Sequence, residues 1–169
     1  MSRLDFHIEQ KIAQRDSIDL AARHLAGRPG WIVEFGLGRG RSYSHLAERF
    51  PGREIYCFDR ELATYSPGGP PPERVLVGDL ATVLADPAVQ ARFRGRVILA
   101  HLDLAWGDGP EAPLHRLVVD RTRGWLLPGA WVLSDRAMPL DPAWGLVPVS
   151  AADGVGHAHR FFRYEHRGP

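Results

Sequence analysis

Apolar positions along the chain fall first at helical spacing and then in short runs. Leu4, Ile8 and Ile12 recur every four residues, and Ile18, Ala21, Ala22 and Leu25 resume the pattern, so residues 1–26 read as helix. Between the two sets, Asp16-Ser17 either caps a second helix or interrupts a single one. Gly27 and the Pro29-Gly30 pair then stop it. Beyond this point short apolar runs alternate with helical segments. Strands are expected at Trp31–Phe35, Glu54–Phe58, Val75–Val77, Arg96–Leu102 and Ala130–Leu133. Helices are expected near Ser42–Phe50, Ala81–Phe93 (started or interrupted by Pro87) and Ala112–Leu127.

Apolar runs separated by helices indicate a parallel sheet covered on both faces. The tail is different. Gly145–Val149 and Arg160–Tyr164 read as two strands joined by a Gly/His loop, which brings antiparallel character to one edge. Ser66–Pro72 (SPGGPPP) stands where a crossover helix would lie and is expected to be mostly irregular, since proline and glycine do not continue a helix.

Composition narrows the class. The 169 residues, 44% hydrophobic and 24% charged, suit one globular domain with residues 1–26 as a helical cover. The formal net charge of +1 points to neither a nucleic-acid nor a membrane partner. Lys11 is the only lysine; the scattered arginines are balanced by 20 acids. A single cysteine, Cys57, excludes an internal disulfide and a cysteine zinc cage, and its apolar surroundings suit a small buried side chain. The N-terminus has no apolar signal core, and no stretch approaches the ~18 residues of a membrane span. A cytoplasmic protein is the expectation.

The sharpest chemical signal is WIVEFGLGRGRS, an apolar strand running into Glu34-x-Gly36-x-Gly38-x-Gly40 and then a helix. Glycines there permit positive-φ turns and close approach of a ligand to the main chain, and the helix start offers free N–H groups. A dinucleotide fingerprint, G-x-G-x-x-G, would need a third glycine where Arg41 stands. The acid at Glu34 suits an ammonium-bearing ligand better than a pyrophosphate. S-adenosylmethionine is therefore favoured over a nicotinamide dinucleotide. The second strand runs into Asp59-Arg60, 19 residues beyond Gly40, where a carboxylate can accept from both hydroxyls of a ribose. The third runs into Gly78-Asp79-Leu80; Asp79 is either a helix N-cap or an acceptor for an adenine amino group.

Together these residues resemble the class I S-adenosylmethionine-dependent methyltransferases, from about Trp31 to the C-terminus. The likeness is nearest to short bacterial proteins assigned as S-adenosyl-L-methionine methyltransferases. The resemblance implies an α/β, three-layer Rossmann-like fold with a mostly parallel seven-stranded sheet and an antiparallel C-terminal hairpin. It also implies S-adenosyl-L-methionine as cofactor, with Glu34 and the loop Gly36, Leu37, Gly38 and Gly40 at its methionine moiety. Asp59 and Arg60 would lie at the ribose, Asp79 and Leu80 at the adenine, and the end of strand four beside the methyl group.

Strand four ends in His101-Leu102-Asp103, and a period of two points His101 and Asp103 the same way. Asp103 is the first candidate for a catalytic base or substrate anchor and His101 the second, as a hydrogen-bonded pair; buried structural polar groups are the competing reading. Trp106 is a candidate to stack on the cofactor or to wall a substrate pocket. Some relatives hold a divalent metal through an acid after strand four and an Asp-Asn pair after strand five. Asp103 and Asp135 match the acids, but Arg136 replaces the asparagine and would repel a dication, so no metal is expected. His157 and His159 fit no zinc pattern. Gln14, Arg15 or Arg41 are candidates for the cofactor carboxylate, with a solvated helix face favoured for the first two. No asparagine occurs in the chain, so the Asn/Asp-Pro-Pro-Tyr motif of amino-methylating enzymes is missing.

The leading expectation is methyl transfer to a small molecule, at oxygen and without metal. The alternatives are a non-catalytic S-adenosylmethionine-binding sensor or assembly subunit, and an oxidoreductase, which Arg41 disfavours. Trp125, Trp131 and Trp144 raise the possibility of a homodimer patch.

Overall fold

The computed structural model describes residues 1–62, 68–104, 113–138, 140–149 and 160–168. Seven strands form one sheet: β1 Trp31–Phe35, β2 Ile55–Asp59, β3 Val75–Val77, β4 Val97–Leu102, β5 Leu126–Ser134, β6 Leu146–Pro148 and β7 Phe162–His166. Their order is β3-β2-β1-β4-β5-β7-β6; the first five run parallel, and β7 pairs antiparallel with both β5 and β6. Sheet and terminal hairpin thus match the fold expected from the sequence.

The helices are α1 Arg3–His24, α2 Arg41–Arg49, α3 Leu80–Val83, α4 Pro87–Phe93 and α5 Pro113–Thr122. α1 is a single helix, started by a reciprocal cap in which Ser2 Oγ accepts from Asp5 N and Asp5 Oδ2 accepts from Ser2 N. Asp16-Ser17 therefore interrupts nothing. The helix expected over 81–93 is interrupted at Pro87, one of the two readings the sequence left open, because Asp86 caps a new start (Ala88 N to Asp86 Oδ1, 2.7 Å) and Pro87 cannot donate backward. The helix expected to reach Leu127 ends at Thr122. Arg123–Trp125 form a 3-10 turn and β5 already begins at Leu126.

Register explains how the two faces differ. Cys57, Glu34, His101 and Leu133 lie side by side across β2, β1, β4 and β5; the next row is Phe58, Phe35, Leu102 and Ser134. Successive residues of a strand face opposite sides, so the rows serve different layers. Phe35 stacks on Phe58 with centroids 4.8 Å apart, and this pair meets Trp125 and, through Phe58, Phe93 of α4. α1 and α2 pack together through Asp19, whose Oδ1 accepts from His45 Nε2 (2.8 Å) and Arg49 Nε (2.6 Å). α1 also reaches the sheet, with His24 stacked on Trp131.

Of the apolar positions at helical spacing, Ile18, Ala21 and, at the C-cap of α1, Leu25 are buried, whereas Leu4 and Ile8 are exposed; Ala13, Gln14 and Ser17 complete the buried face. The buried stripe is mostly small and polar, which lets the helix sit close to its neighbours but carries little hydrophobic signal. Trp125, Trp131 and Trp144 are all buried, so they form no surface patch for a dimer. Among the described residues, no helix is long and apolar enough to cross a membrane.

Candidate functional site

The hydrogen-bond ladder continues past the strand ends and fixes what stands at the sheet's C-terminal edge. Gly36 N donates to Phe58 O (2.9 Å), Asp103 N to Phe35 O (3.0 Å), Asp135 N to Leu102 O (3.0 Å) and Gly78 N to Asp59 O (2.9 Å). Such an edge, with the chain turning away to either side at β1, is where open α/β sheets leave a ligand crevice. Here it opens into a cleft of about 1000 Å³.

Gly36, Leu37, Gly38, Arg41, Asp59, Arg60, Asp79, Leu80 and Asp103 all line that cleft. Gly36 has φ +87°, and a Cβ added there would lie 2.2 Å from the Asp103 carbonyl oxygen; only glycine fits the crossing of these two chains. A Cβ on Gly38 (φ +51°) would point into open space. Gly38 N donates to Asp59 Oδ2 (2.8 Å), tying the glycine turn to the end of β2, while among the described residues Asp59 Oδ1 receives a long bond from Glu61 N (3.4 Å). Gly40 is the left-handed residue before α2, and Arg41 opens that helix. Asp79 lines the cleft and also caps α3, accepting from Thr82 N (3.2 Å).

Glu34 and His101 are 0% exposed and lie beneath the cleft rather than in its wall. His101 Nδ1 stands 3.3 Å from Glu34 Oε1 without a hydrogen bond between them, and Cys57 Sγ donates to Glu34 Oε2 at 3.8 Å. Burial, and then Glu34, push the Cys57 thiol far up, so it stays protonated. Gln14 joins this row to the cleft. Its Oε1 accepts from Lys11 Nζ (2.9 Å), so its amide nitrogen is the donor to Asp103 Oδ2 (2.8 Å) and to His101 Nε2 (3.1 Å). His101 and Asp103 do face one way, but the expected direct bond is replaced by Gln14 between them.

Asp103 also accepts from Lys11 Nζ at 3.0 Å. Burial acts to raise its carboxyl, but His101, Lys11 and Gln14 together outweigh that and hold it below the usual carboxylate range. Such a group is a persistent anion. Arg15, by contrast, turns to solvent and pairs with Asp16.

Lys11 and His115 have no sequence motif to announce them. His115 of α5 lines the cleft on the β5 side, and its Nε2 donates to Asp135 Oδ1 at 2.5 Å. Asp135, matched in the sequence to a metal-binding acid, thus holds a histidine. Among the described residues no cluster of three His, Cys, Asp or Glu is placed to hold a metal ion. Trp106, His157 and His159 lie outside the described residues.

Residues 1–166 match the family model of S-adenosyl-L-methionine methyltransferases. The chain belongs to this methyltransferase family. An S-adenosyl-L-methionine methyl transferase from Silicibacter pomeroyi DSS-3 is 32% identical, with a TM-score of 0.85 over 98% of this chain and 99% of that one. Lower identity accompanies the shared fold elsewhere. The Burkholderia thailandensis 1,6-didemethyltoxoflavin-N1-methyltransferase is 16% identical (TM-score 0.56, 92% of this chain, 79% of that one). A Plasmodium falciparum protein assigned as a ribosomal RNA methyltransferase is 10% identical (TM-score 0.58, 92% and 96%). No curated protein matches significantly. The methyltransferase therefore uses S-adenosyl-L-methionine as its cosubstrate. The donor set fits that molecule: acids at consecutive strand ends for a ribose and an amino group, and both signs of charge near β4 for an amino acid.

Proposed function

We propose that this methyltransferase, read as one domain over residues 1–169 with 1–26 as its cover, transfers the methyl group to a hydroxyl of a small molecule without a metal. The observation that carries the proposal is the His115–Asp135 dyad on the cleft wall. The cleft divides naturally along the sheet edge. Asp79 and Leu80 take the adenine, Asp59 and Arg60 the ribose, and Gly36, Leu37, Gly38 and Arg41 the methionine portion, with Gly40 turning the chain into α2 behind them. Glu34 supports that loop from below. His115, Leu114 and Arg136 remain for the acceptor.

Bound S-adenosyl-L-methionine supplies a methyl carbon already activated by its sulfonium, displaced in line as the acceptor oxygen bonds to carbon and sulfur leaves. The chain's own task is alignment and removal of one proton. Asp135 occupies Nε2 of His115, which leaves Nδ1 as the basic nitrogen for the acceptor proton. Asp103 already accepts from Lys11 and Gln14 and acts as an anchor for positive charge. His101 is completely buried and acts only through Gln14. Among the described residues, five cations and four anions line the cleft. That near balance suits a small molecule better than a phosphate backbone, which needs a basic track.

The test is transfer from methyl-labelled S-adenosyl-L-methionine to a panel of phenols, hydroxy acids, amines and RNA, with and without EDTA. Labelled ether or ester products, insensitive to chelation, are expected, with His115→Gln lowering kcat by about 10²–10⁴. Transfer to nitrogen or RNA, or loss of activity in EDTA, contradicts the proposal.

A further inference from the structure

Lys11 is the chain's one lysine, and it projects from α1 onto the edge of a cleft that otherwise carries arginines. Its ammonium lies 3.0 Å from Asp103 and 2.9 Å from Gln14 Oε1. The side chain is 54% exposed against 23% for Asp103. An ion pair this open contributes little to stability, so its partners exchange cheaply. Gln14 holds Asp103 in place independently, through its own 2.8 Å bond. The end of β4 therefore presents an anion and a movable cation side by side. That arrangement matches the two charges of an α-amino acid.

Resting on the cofactor placement proposed above, we propose that Lys11 and Asp103 form a zwitterion clamp for the methionine end of the cosubstrate. Asp103 takes the α-ammonium, and Lys11 swings from Asp103 to the α-carboxylate. The sheet order puts the ends of β3, β2, β1 and β4 in line. A ligand with its adenine at Asp79 and ribose at Asp59 brings its amino-acid end to Gly36 and Asp103, beneath Lys11. Arg41, at the start of α2, is the competing cation. Lys11 is favoured because it already borders the anion that would bind the ammonium. α1 thereby becomes part of cosubstrate recognition and not only a cover.

The experiment is calorimetric titration of the wild-type protein, Lys11→Met and Arg41→Gln with S-adenosyl-L-methionine and with its decarboxylated analogue. Removing Lys11 should weaken S-adenosyl-L-methionine about ten- to a hundredfold, as expected for a charge-assisted contact. The same variant should bind the decarboxylated analogue as well as the wild type does, or better, because Asp103 is relieved of a competitor. Equal loss for both ligands would mean a merely structural role and overturn the clamp. So would unchanged binding of S-adenosyl-L-methionine, or carboxylate discrimination that follows Arg41 instead. If the wild-type protein binds neither ligand, the cofactor placement itself fails and the clamp falls with it. A cooperative thermal transition for each variant excludes misfolding as the cause.

Discussion

Asp103 shows how a buried row sets the chemistry of an edge residue. Glu34 and His101 are fixed by register, Gln14 bridges from α1, and the chain of contacts ends on one carboxylate at the cleft. Its folded-state pKa lies below the unfolded value near ~3.9. A carboxyl so depressed adds stability above the unfolded pKa, and that stability is lost as pH falls through the folded one. Asp103→Asn should therefore cost about 1–3 kcal/mol at pH 6–8, the scale of hydrogen bonds to a charged group. The gap between variant and wild type should close as pH drops below ~4. Urea midpoints measured across pH test this, and a gap independent of pH would contradict it. Cys57, by contrast, is silent chemistry: burial and Glu34 keep it a thiol and a core side chain.

The elements that position the site were legible to different degrees. The strand–glycine turn–helix over Trp31–Arg49 carries its own signal, because the turn needs left-handed backbone and a strand must precede it. Asp59 and Asp79 follow from strand ends. α1 was harder to place. Its hydrophobic spacing holds at Ile18 and Ala21, which are buried, and fails at Leu4 and Ile8, which are exposed, while the buried Ala13, Gln14 and Ser17 pack by closeness rather than by apolar area. His115 and Asp135 lie 20 residues apart and meet only because α5 crosses from β4 to β5. No local pattern encodes that. The turn itself makes a sharp prediction. Gly36→Ala combines a left-handed φ with a backbone clash and should cost about 3 kcal/mol or more. Gly38→Ala has open space and only the left-handed penalty, about 1–2 kcal/mol. Thermal denaturation of the pair checks the ranking, and equal losses would contradict the crossing of Gly36 over Asp103.

At the scale of the molecule, a seven-stranded sheet with its order turning outward from β1 and β4 leaves one crevice edge, and the acids at the strand ends stand along it. The same arrangement explains why an N-terminal helix can contribute to a site built on the sheet: α1 packs on α2 and reaches the end of β4 through Gln14 and Lys11. Membership of the methyltransferase family fixes the cosubstrate; the placement of that cosubstrate along this edge is the central claim. The most direct test is isothermal titration of wild-type protein and Asp59→Ala with S-adenosylmethionine, S-adenosylhomocysteine and NAD. Micromolar binding of both adenosyl ligands, none of NAD, and loss of binding in the variant are expected. Binding of NAD, or undiminished binding of S-adenosylmethionine by Asp59→Ala, would contradict this placement.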